Sequence, residues 1–267
     1  MFKALKYRAL IFTDIDGTLI NGGLSEDLGY YINRLNSLGF PVIPVTMKTI
    51  SEVIYLWNKL GADLSAAIVE GGGAIYYSND FTLSKGLYDH CIDMYFIKVA
   101  KCLTEIENYL KVLEGKCSSK VLRLTKLPPE LISELTNLSL EEAVLARKRY
   151  FSEAFYTSEA MCFKEIAEEA KSIGLTTMVT DKFIHVSTSS KGRAVGEFLR
   201  NSFFKHLPTI GLGDSELDED FLELTDVAIV ISSNKRISLR RLDYIISTES
   251  PPKGWIKAVE GTIIKFI

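Results

Sequence analysis

Residues 9–18 read ALIFTDIDGT, a short β-rich apolar run that ends directly at two aspartates, Asp14 and Asp16. Gly17 follows them and permits a tight turn at that point. In doubly wound α/β sheets, ligands collect at the carboxyl ends of the strands. We therefore expect this stretch to form a central strand and to carry the first residues of a functional site.

The sequence that follows alternates short apolar runs with amphipathic helical patterns. A helix opened by Ser25 and ended by Gly39 precedes a second strand at 41–46 (PVIPVT), and another helix stops at Gly61. The runs AAIV and AIYY, on either side of 70–73 (EGGG), are expected to pair as a hairpin. This order predicts an α/β fold with a doubly wound, mostly parallel sheet covered by helices on both faces.

The middle of the chain has a different pattern, which predicts an inserted α+β cap domain at 85–186 and a catalytic core formed by 1–84 and 187–267. A long helix is expected within the insertion over 92–113. The runs TTMVT and FIHVST are expected to pair across a turn at 181–182. The β/α alternation of the core then resumes to the end of the chain.

The composition is that of a globular protein, with 267 residues, 47% hydrophobic and 24% charged, and a formal net charge of -3. This charge gives no reason to expect nucleic-acid binding. No segment is long enough to span a bilayer, so no membrane association is expected. The four cysteines lie in the predicted insertion without CxxC spacing, which argues against a disulfide framework or zinc site. We expect a cytoplasmic protein, and its oligomeric state stays open.

Polar residues stand beside the apolar runs at four places: Asp14 with Asp16, Thr46, Lys191, and Asp214 with Asp218. Because strand ends of a parallel sheet meet at one edge, we expect these residues to converge. Close carboxylates oppose one another's ionisation. A hard cation such as Mg²⁺, which takes oxygen ligands, removes that cost. The predicted metal ligands are Asp14, Asp16 through its backbone carbonyl, Asp214, and Asp218 either directly or through water.

The same residues suit phosphoryl transfer. Asp14 can attack phosphorus and form an aspartyl-phosphate, while Asp16 can protonate the leaving oxygen and later activate water. Thr46, Lys191 and nearby backbone N–H groups can stabilise charge on the phosphoryl oxygens. Each motif taken alone is common in turns and at strand ends. Their joint occurrence in this order predicts a phosphatase with Asp14, Asp16, Thr46 and Lys191 as catalytic residues.

These four motifs resemble those of the haloacid dehalogenase-like hydrolase superfamily. They stand here as DIDGT at 14–18, Thr46, Lys191 and GDSELD at 213–218. The resemblance covers the core, and the long insertion is similar to the larger α/β cap type of that superfamily. It implies a Mg²⁺-dependent hydrolase but does not identify a substrate.

A narrower resemblance is to mannosyl-3-phosphoglycerate phosphatases. It is carried by VTMKT at 45–49, VEGGGAIY at 69–76, ARKRYFSEAF at 146–155 and PPKGW at 251–255. It implies hydrolysis of mannosyl-3-phosphoglycerate, or of another glycosyl-3-phosphoglycerate, to phosphate and the glycosylglycerate, a compatible solute. The substrate-binding residues that it implies are Lys48, Arg147, Arg149, Ser152 and Glu153. An arginine suits a carboxylate because its planar fork can bond both oxygens.

The chain departs from that narrower pattern at four places. Met47 stands where the family has Ser, Gly71 and Leu217 stand where it has Asn, and 180–182 (TDK) replaces Gly-Gly-Arg. These changes concern orientation or specificity and leave the catalytic residues intact.

Several alternatives stay open at this point. A dehalogenase would not need Asp16, which argues against that activity. A phosphomannomutase, or another sugar-phosphate phosphatase such as a sucrose-phosphatase, keeps the same four motifs. A metal-binding phosphoacceptor domain would lack the cap, and a substrate-sensing relative of the enzyme is a further reading, given Leu217.

Overall fold

The computed structural model describes residues 7–79, 81, 83, 86–117, 121–180, 182–201, 204–232 and 235–266. No helix in these ranges combines the length and the apolar character needed to cross a membrane. In chain order the elements are β1 (Leu10–Thr13), α1 (Glu26–Ser37), β2 (Val42–Pro44), α2 (Ile50–Leu60), β3 (Ala66–Val69), β4 (Ala74–Tyr77), β5 (Leu87–Asp89), β6 (Met94–Lys98), α3 (Leu103–Glu114), β7 (Leu122–Arg123), α4 (Pro129–Thr136), α5 (Leu140–Ala146), β8 (Ser152–Tyr156), α6 (Ala160–Ser172), β9 (Thr176–Val179), β10 (Phe183–Ser187), α7 (Lys191–Asn201), β11 (Thr209–Gly213), α8 (Glu219–Leu222), β12 (Val227–Ile231), β13 (Tyr244–Ser247) and α9 (Lys253–Ile263).

The central sheet has the strand order β13-β12-β11-β1-β2, and all its neighbouring strands are parallel. Ile11 of β1 belongs to an apolar cluster with Trp57 of α2 and Trp255 of α9. Phe12, the next residue, belongs to a second cluster with Phe198 of α7. Because successive strand residues point to opposite faces, helices cover both sides of the sheet. The predicted doubly wound α/β core is confirmed.

A second sheet, with the order β3-β4-β6-β5, is antiparallel and continues the central one. A parallel bridge between Val45 and Ile68 joins the two sheets. The expected hairpin of β3 and β4 is confirmed.

The prediction of a helix over 92–113 is wrong for its first half. Residues 94–98 form strand β6, and α3 begins only at Leu103. The stretch MYFIK is rich in aromatic and β-branched residues, which pack well across strands. The Phe96 ring stacks on Tyr76 of the neighbouring strand, with 5.4 Å between ring centroids. These cross-strand contacts outweigh the helical spacing of the apolar residues.

The third sheet, with the order β7-β8-β10-β9, is antiparallel and has helices on both faces. Phe155 and Ile184 pack in a cluster with α3 and α6, whereas Ala154 and Phe183 pack with α4 and α5. We call this sheet, together with α3–α6, the cap, and the rest of the structure the core. The expected pairing of β9 and β10 is confirmed, and Asp181 of the expected turn lies outside the described residues.

The predicted domain limits stay a prediction. Residues 84 and 85, at the first limit, lie outside the described residues. Strands β5 and β6 follow that limit in the chain, yet β6 pairs with β4 of the hairpin.

Glu70, at the end of β3, connects the core to the cap. Its side chain is buried, and its backbone has a φ of 52°. The carboxylate accepts hydrogen bonds from the backbone N–H groups of Tyr150 (3.0 Å), Phe151 (2.9 Å) and Ser152 (2.9 Å) and from the Ser152 hydroxyl (3.1 Å). Burial raises the pKa of Glu70, and the charge of Arg149 partly offsets this rise. One buried core side chain therefore fixes the start of cap strand β8.

We expect Glu70→Ala to lower the free energy of unfolding by about 3 kcal/mol, because it leaves several buried N–H groups without an acceptor. Glu70→Gln is the matched control. Its amide oxygen can take the place of Oε2, which accepts from Phe151, Ser152 and the Ser152 hydroxyl. A loss of about 1 kcal/mol or less is expected for this variant. Urea denaturation measures both, and equal losses would show that the negative charge of Glu70, rather than side-chain shape or a neutral acceptor oxygen, stabilises these N–H groups.

Candidate active site

The predicted catalytic residues converge at the carboxyl edge of the central sheet. Asp14 follows β1, Thr46 follows β2, Asp214 follows β11, and Lys191 is the first residue of α7. The backbone N–H of Asp14 donates to the carbonyl of Leu212 at 2.9 Å, which continues the β1–β11 pairing up to the site. The parallel topology thus brings together residues that are almost two hundred positions apart.

Lys191 is held between two buried carboxylates. Its Nζ lies 2.8 Å from Asp14 Oδ1 and 2.7 Å from Asp218 Oδ1, and the side chain is 2% exposed. Burial alone would lower the pKa of Lys191, but the two aspartates outweigh it and raise the pKa above its usual value. The ammonium therefore stays charged and fixes the orientation of Asp14.

Burial raises the pKa of Asp14 to about 7; Lys191 opposes this rise, and Asp218 adds to it. Lys191 donates to Oδ1 of Asp14. The other carboxylate oxygen, Oδ2, is not engaged by Lys191 and is the one that the predicted mechanism would use. A further cation beside this carboxylate would favour its ionised form.

Asp218 has an orienting role in this arrangement. Its Oδ1 accepts from Lys191, and its Oδ2 accepts from the N–H groups of Asp214 (3.0 Å) and Ser215 (3.1 Å) and from the Ser215 hydroxyl (3.1 Å). The side chain is completely buried. Because both of its oxygens are already engaged, Asp218 orders the loop at 214–218 and positions Lys191.

The carboxylates fit a hard divalent cation. Oxygen atoms of Asp14, Asp214 and Asp218 lie within 4.8 Å of one another and are buried. Carboxylate oxygens are the donors that Mg²⁺ prefers. Lys235 contacts this group, with its Nζ 2.9 Å from Asp214 Oδ2. Gly17 is required here, because a Cβ at that position would lie 2.4 Å from the same Oδ2, and its φ is +88°.

The side chain of Asp16, predicted as a metal ligand through its backbone, lies apart from this carboxylate group. It is 61% exposed and forms an ion pair with Lys48, 2.8 Å away. Burial alone would lower the pKa of Lys48, but Asp16 and Glu52 outweigh it and raise the pKa. Asp16 therefore stands at the exposed mouth of the site, a position compatible with its predicted role as the acid for a leaving group.

A cavity of about 230 Å³ lies between the core and the cap. The core contributes Asp14, Asp16, Thr46, Lys48 and Lys191 to its walls, and the cap contributes Arg149, Thr180, Phe183 and His185. Two further cavities, of about 270 and 460 Å³, also reach Asp16. Asp16 thus stands where all three meet.

Of the substrate-binding residues implied by the narrower resemblance, Lys48 and Arg149 line the cavity. Ser152 is buried behind Arg149 and accepts from its Nη2 at 2.7 Å. The same Nη2 donates to the carbonyl of Met47 in the core, at 2.9 Å. The Arg149 guanidinium is therefore held rigidly, and Ser152 acts as its support.

Arg147 and Glu153 do not line this cavity. Arg147 is exposed, and its Nε donates to the carbonyl of Thr125. Glu153 is completely buried and accepts from Arg123 Nε at 2.8 Å and from the hydroxyl of Thr125. The carboxylate of Glu153 is thus already neutralised inside the cap.

Sequence reasoning missed His185, which lines the cavity from β10. The signal was present in the run FIHVST, because His185 is two residues from Phe183 and shares its face of the strand. Glu70 and Lys235 were also missed. Both contact groups that are distant in the sequence, so no local pattern identifies them.

Comparisons with known proteins agree with this geometry. The family described as haloacid dehalogenase-like hydrolase matches residues 11–254. The chain is 30% identical to the glucosyl-3-phosphoglycerate/mannosyl-3-phosphoglycerate phosphatase of Persephonella marina, over 94% of this chain and 95% of the relative. It is 26% identical to the mannosyl-3-phosphoglycerate phosphatase of Aeropyrum pernix, over 94% and 93% of the two chains.

Solved structures share the fold at lower sequence identity. A haloacid dehalogenase-like hydrolase from B. subtilis is 15% identical, with a TM-score of 0.69 and coverage of 95% of this chain and 99% of that one. The sucrose-phosphatase of Synechocystis, in complex with sucrose and phosphate, is 12% identical, with a TM-score of 0.63 and coverage of 97% and 98%. The motifs, the fold and the family match agree, and the chain belongs to the haloacid dehalogenase-like hydrolases.

Proposed function

We propose that this chain is a Mg²⁺-dependent phosphatase that acts through an aspartyl-phosphate on Asp14, with mannosyl-3-phosphoglycerate as substrate. The observation that carries the proposal is the buried Asp14–Lys191–Asp218 arrangement, with Asp16 at the mouth of the same cavity. The names of the two curated relatives support both phosphoric monoester hydrolysis and this substrate class. The cytoplasmic location stays a prediction from the sequence.

In the first step, Oδ2 of Asp14 attacks the phosphorus of the ester. The bond from phosphorus to the leaving oxygen breaks, and Asp16 gives that oxygen a proton. Lys191 holds Asp14 by its other oxygen, which is 2.8 Å away. The attacking atom is therefore oriented before substrate binds. The entropic cost of positioning it is then not part of the reaction barrier.

In the second step, water replaces Asp14 on phosphorus. Asp16, now ionised, accepts a proton from the attacking water, and Asp14 leaves as a carboxylate. Inorganic phosphate is released, and Asp16 ends the cycle in its protonated form. The Thr46 hydroxyl, buried at the end of β2, is placed to donate to a phosphoryl oxygen.

Asp14 and Asp214 are the side chains that would hold the Mg²⁺ ion, with the backbone carbonyl of Asp16 as a third predicted ligand. Asp218 would act on the ion through its neighbours, because its own oxygens are occupied by Lys191 and the 214–215 backbone. When bound, Mg²⁺ supplies positive charge that neutralises the phosphoryl oxygens and the carboxylates around them.

The cavity supports an anionic leaving group. Arg149 and Lys48 carry positive charge on its cap and core sides. A glycerate carboxylate next to the phosphate ester suits the positive charge of Arg149, whose Nη1 is not used by Ser152 or Met47. Another sugar-phosphate phosphatase or a phosphomannomutase uses the same core chemistry, so these activities are the alternatives within the family. A phosphoacceptor or sensor domain would not need Asp16 beside the leaving group.

A panel of esters tests the proposal: mannosyl-3-phosphoglycerate, glucosyl-3-phosphoglycerate, sucrose phosphate, mannose 6-phosphate and p-nitrophenyl phosphate, each with Mg²⁺ and with EDTA. We expect phosphate release to require the metal. The glycosyl-3-phosphoglycerates are expected to exceed the other esters by about a hundredfold in kcat/KM, or about 3 kcal/mol of transition-state stabilisation. A flat profile would remove the substrate assignment, and no release from any ester would remove the phosphatase.

A further inference from the structure

His185 occupies a position in the cavity that the proposed mechanism does not use. It lies near the middle of β10, which pairs with β8 and β9 on its two sides. The side chain is 8% exposed and forms part of the cavity wall together with Arg149 and Phe183. A histidine at this place is too far inside the cap to serve only as a solvated surface residue.

The imidazole has a buried nitrogen without a partner. Nδ1 is inaccessible to solvent and makes no hydrogen bond within the described residues. A neutral imidazole has one N–H donor and one acceptor nitrogen, and a buried N–H donor needs an acceptor. We therefore assign the hydrogen to Nε2 and leave Nδ1 unprotonated, because Nδ1 has no acceptor within hydrogen-bond distance among the described residues. The imidazole thus presents a neutral N–H donor to whatever occupies the cavity.

The charge around His185 keeps the ring neutral. Burial, followed by the positive charge of Arg149, lowers the pKa of His185 to about 3. Nε and Nη2 of Arg149 are bound by Ser152 and Met47, so its guanidinium cannot turn away from the ring. The positive charge of Arg149 and the neutral N–H donor of His185 then lie together on the cap side of the cavity. This pair matches an anionic oxygen group better than it matches an uncharged hydroxyl.

We propose that His185 is a specificity-determining residue that donates through Nε2 to a carboxylate oxygen of the leaving group, next to Arg149. The inference rests on the proposed function and names the group by which the cap selects its ester. It predicts discrimination between two small esters that differ only at this group. These are 3-phosphoglycerate, which carries a carboxylate, and glycerol 3-phosphate, which carries a hydroxymethyl group in its place.

Binding is measured in the Asp14→Asn background with Mg²⁺, where the ligand is held without turnover, and the readout is the ratio of the two dissociation constants. His185→Phe keeps a ring of similar shape and removes the donor. We expect it to reduce the preference for 3-phosphoglycerate at least tenfold. His185→Gln keeps a donor and should stay within threefold of the parent. His206→Gln, at an exposed histidine, is the control outside the site.

A preference that survives His185→Phe overturns the inference, as does a parent protein that binds both esters equally. If His185→Phe unfolds, His185→Leu and His185→Gln, compared with each other, still separate loss of the donor from loss of the ring. Turnover by the unmodified chain is measured in parallel. Absence of turnover together with a retained, His185-dependent binding preference would overturn the phosphatase but would still support a contact between His185 and the ligand carboxylate.

Discussion

Replacing Asp14 by Asn is expected to abolish turnover, with kcat falling by about 10⁴-fold or more, as for the loss of a covalent nucleophile. The amide oxygen has the size of the carboxylate oxygen but carries no charge and is a poor nucleophile. Lys191 and Asp218 remain in place to hold the site. Phosphate release with Mg²⁺, measured against the best ester of the panel, gives the result.

The Asp14→Asn variant should still fold. A loss of turnover in this variant would then reflect a loss of catalysis and not a loss of structure. In the metal-free protein, burial raises the pKa of Asp14 from 3.8 to about 7. A raised carboxyl pKa contributes stability below the unfolded value, and this stability is lost as pH rises through the folded value. Without metal, the wild type should therefore lose stability relative to Asp14→Asn between pH 4 and pH 7.

Asp63→Asn, at an exposed aspartate, is the matched control and should keep wild-type turnover. Turnover near the wild-type level in Asp14→Asn would contradict the mechanism. A variant that is inactive but also unfolded would point to a structural role. Circular dichroism and urea denaturation distinguish the two cases.

Replacing Lys191 by Met is expected to reduce both activity and stability. Methionine keeps the length of the side chain but leaves Asp14 and Asp218 facing each other without the shared ammonium, 2.8 and 2.7 Å away in the wild type. Removing one partner of a buried ion pair lowers the free energy of unfolding by about 3 kcal/mol. Loss of a fixed positive charge at a phosphoryl site reduces kcat by about 10³-fold.

The stability loss in Lys191→Met should depend on pH. At pH 5, Asp14 is largely protonated, since its pKa is about 7 even beside Lys191, so the missing cation costs less. As pH rises through 7, Asp14 ionises in the wild type, where Lys191 stabilises its charge, so the loss should be larger at pH 8 than at pH 5. Lys164→Met, at an exposed lysine of α6, is the control. A loss of equal size at both pH values would show that packing, rather than charge, explains the effect.

The positions of the residues that follow strand ends could be predicted from the sequence. Asp14, Thr46 and Asp214 each follow a short apolar run, and the parallel arrangement of such runs determines where they meet. Lys191 could be added because it begins a helix directly after the last strand of the cap. The meeting of these residues at one edge of the core therefore follows from local patterns and one rule of topology.

The features that local patterns did not reveal depended on which face a side chain takes or on contacts between distant segments. Glu153 lies beside Ser152 in β8, so the strand period turns it away from its neighbour and toward Arg123. The 92–113 stretch had helical spacing, but its first part pairs with β4. Glu70 is recognised only when residues 150–152, some eighty positions later, are placed beside it.

Asp16 stands where three cavities between core and cap meet. The proposed proton donor is thus accessible from several directions. Its position alone does not determine the orientation of the rest of the ester. In the proposed function, core aspartates and Lys191 carry the chemistry, and the cap wall contributes most of the side chains that would select the ester. New substrate preferences can be engineered by rebuilding the cap wall around Arg149 and Phe183 while the aspartates and Lys191 are left untouched.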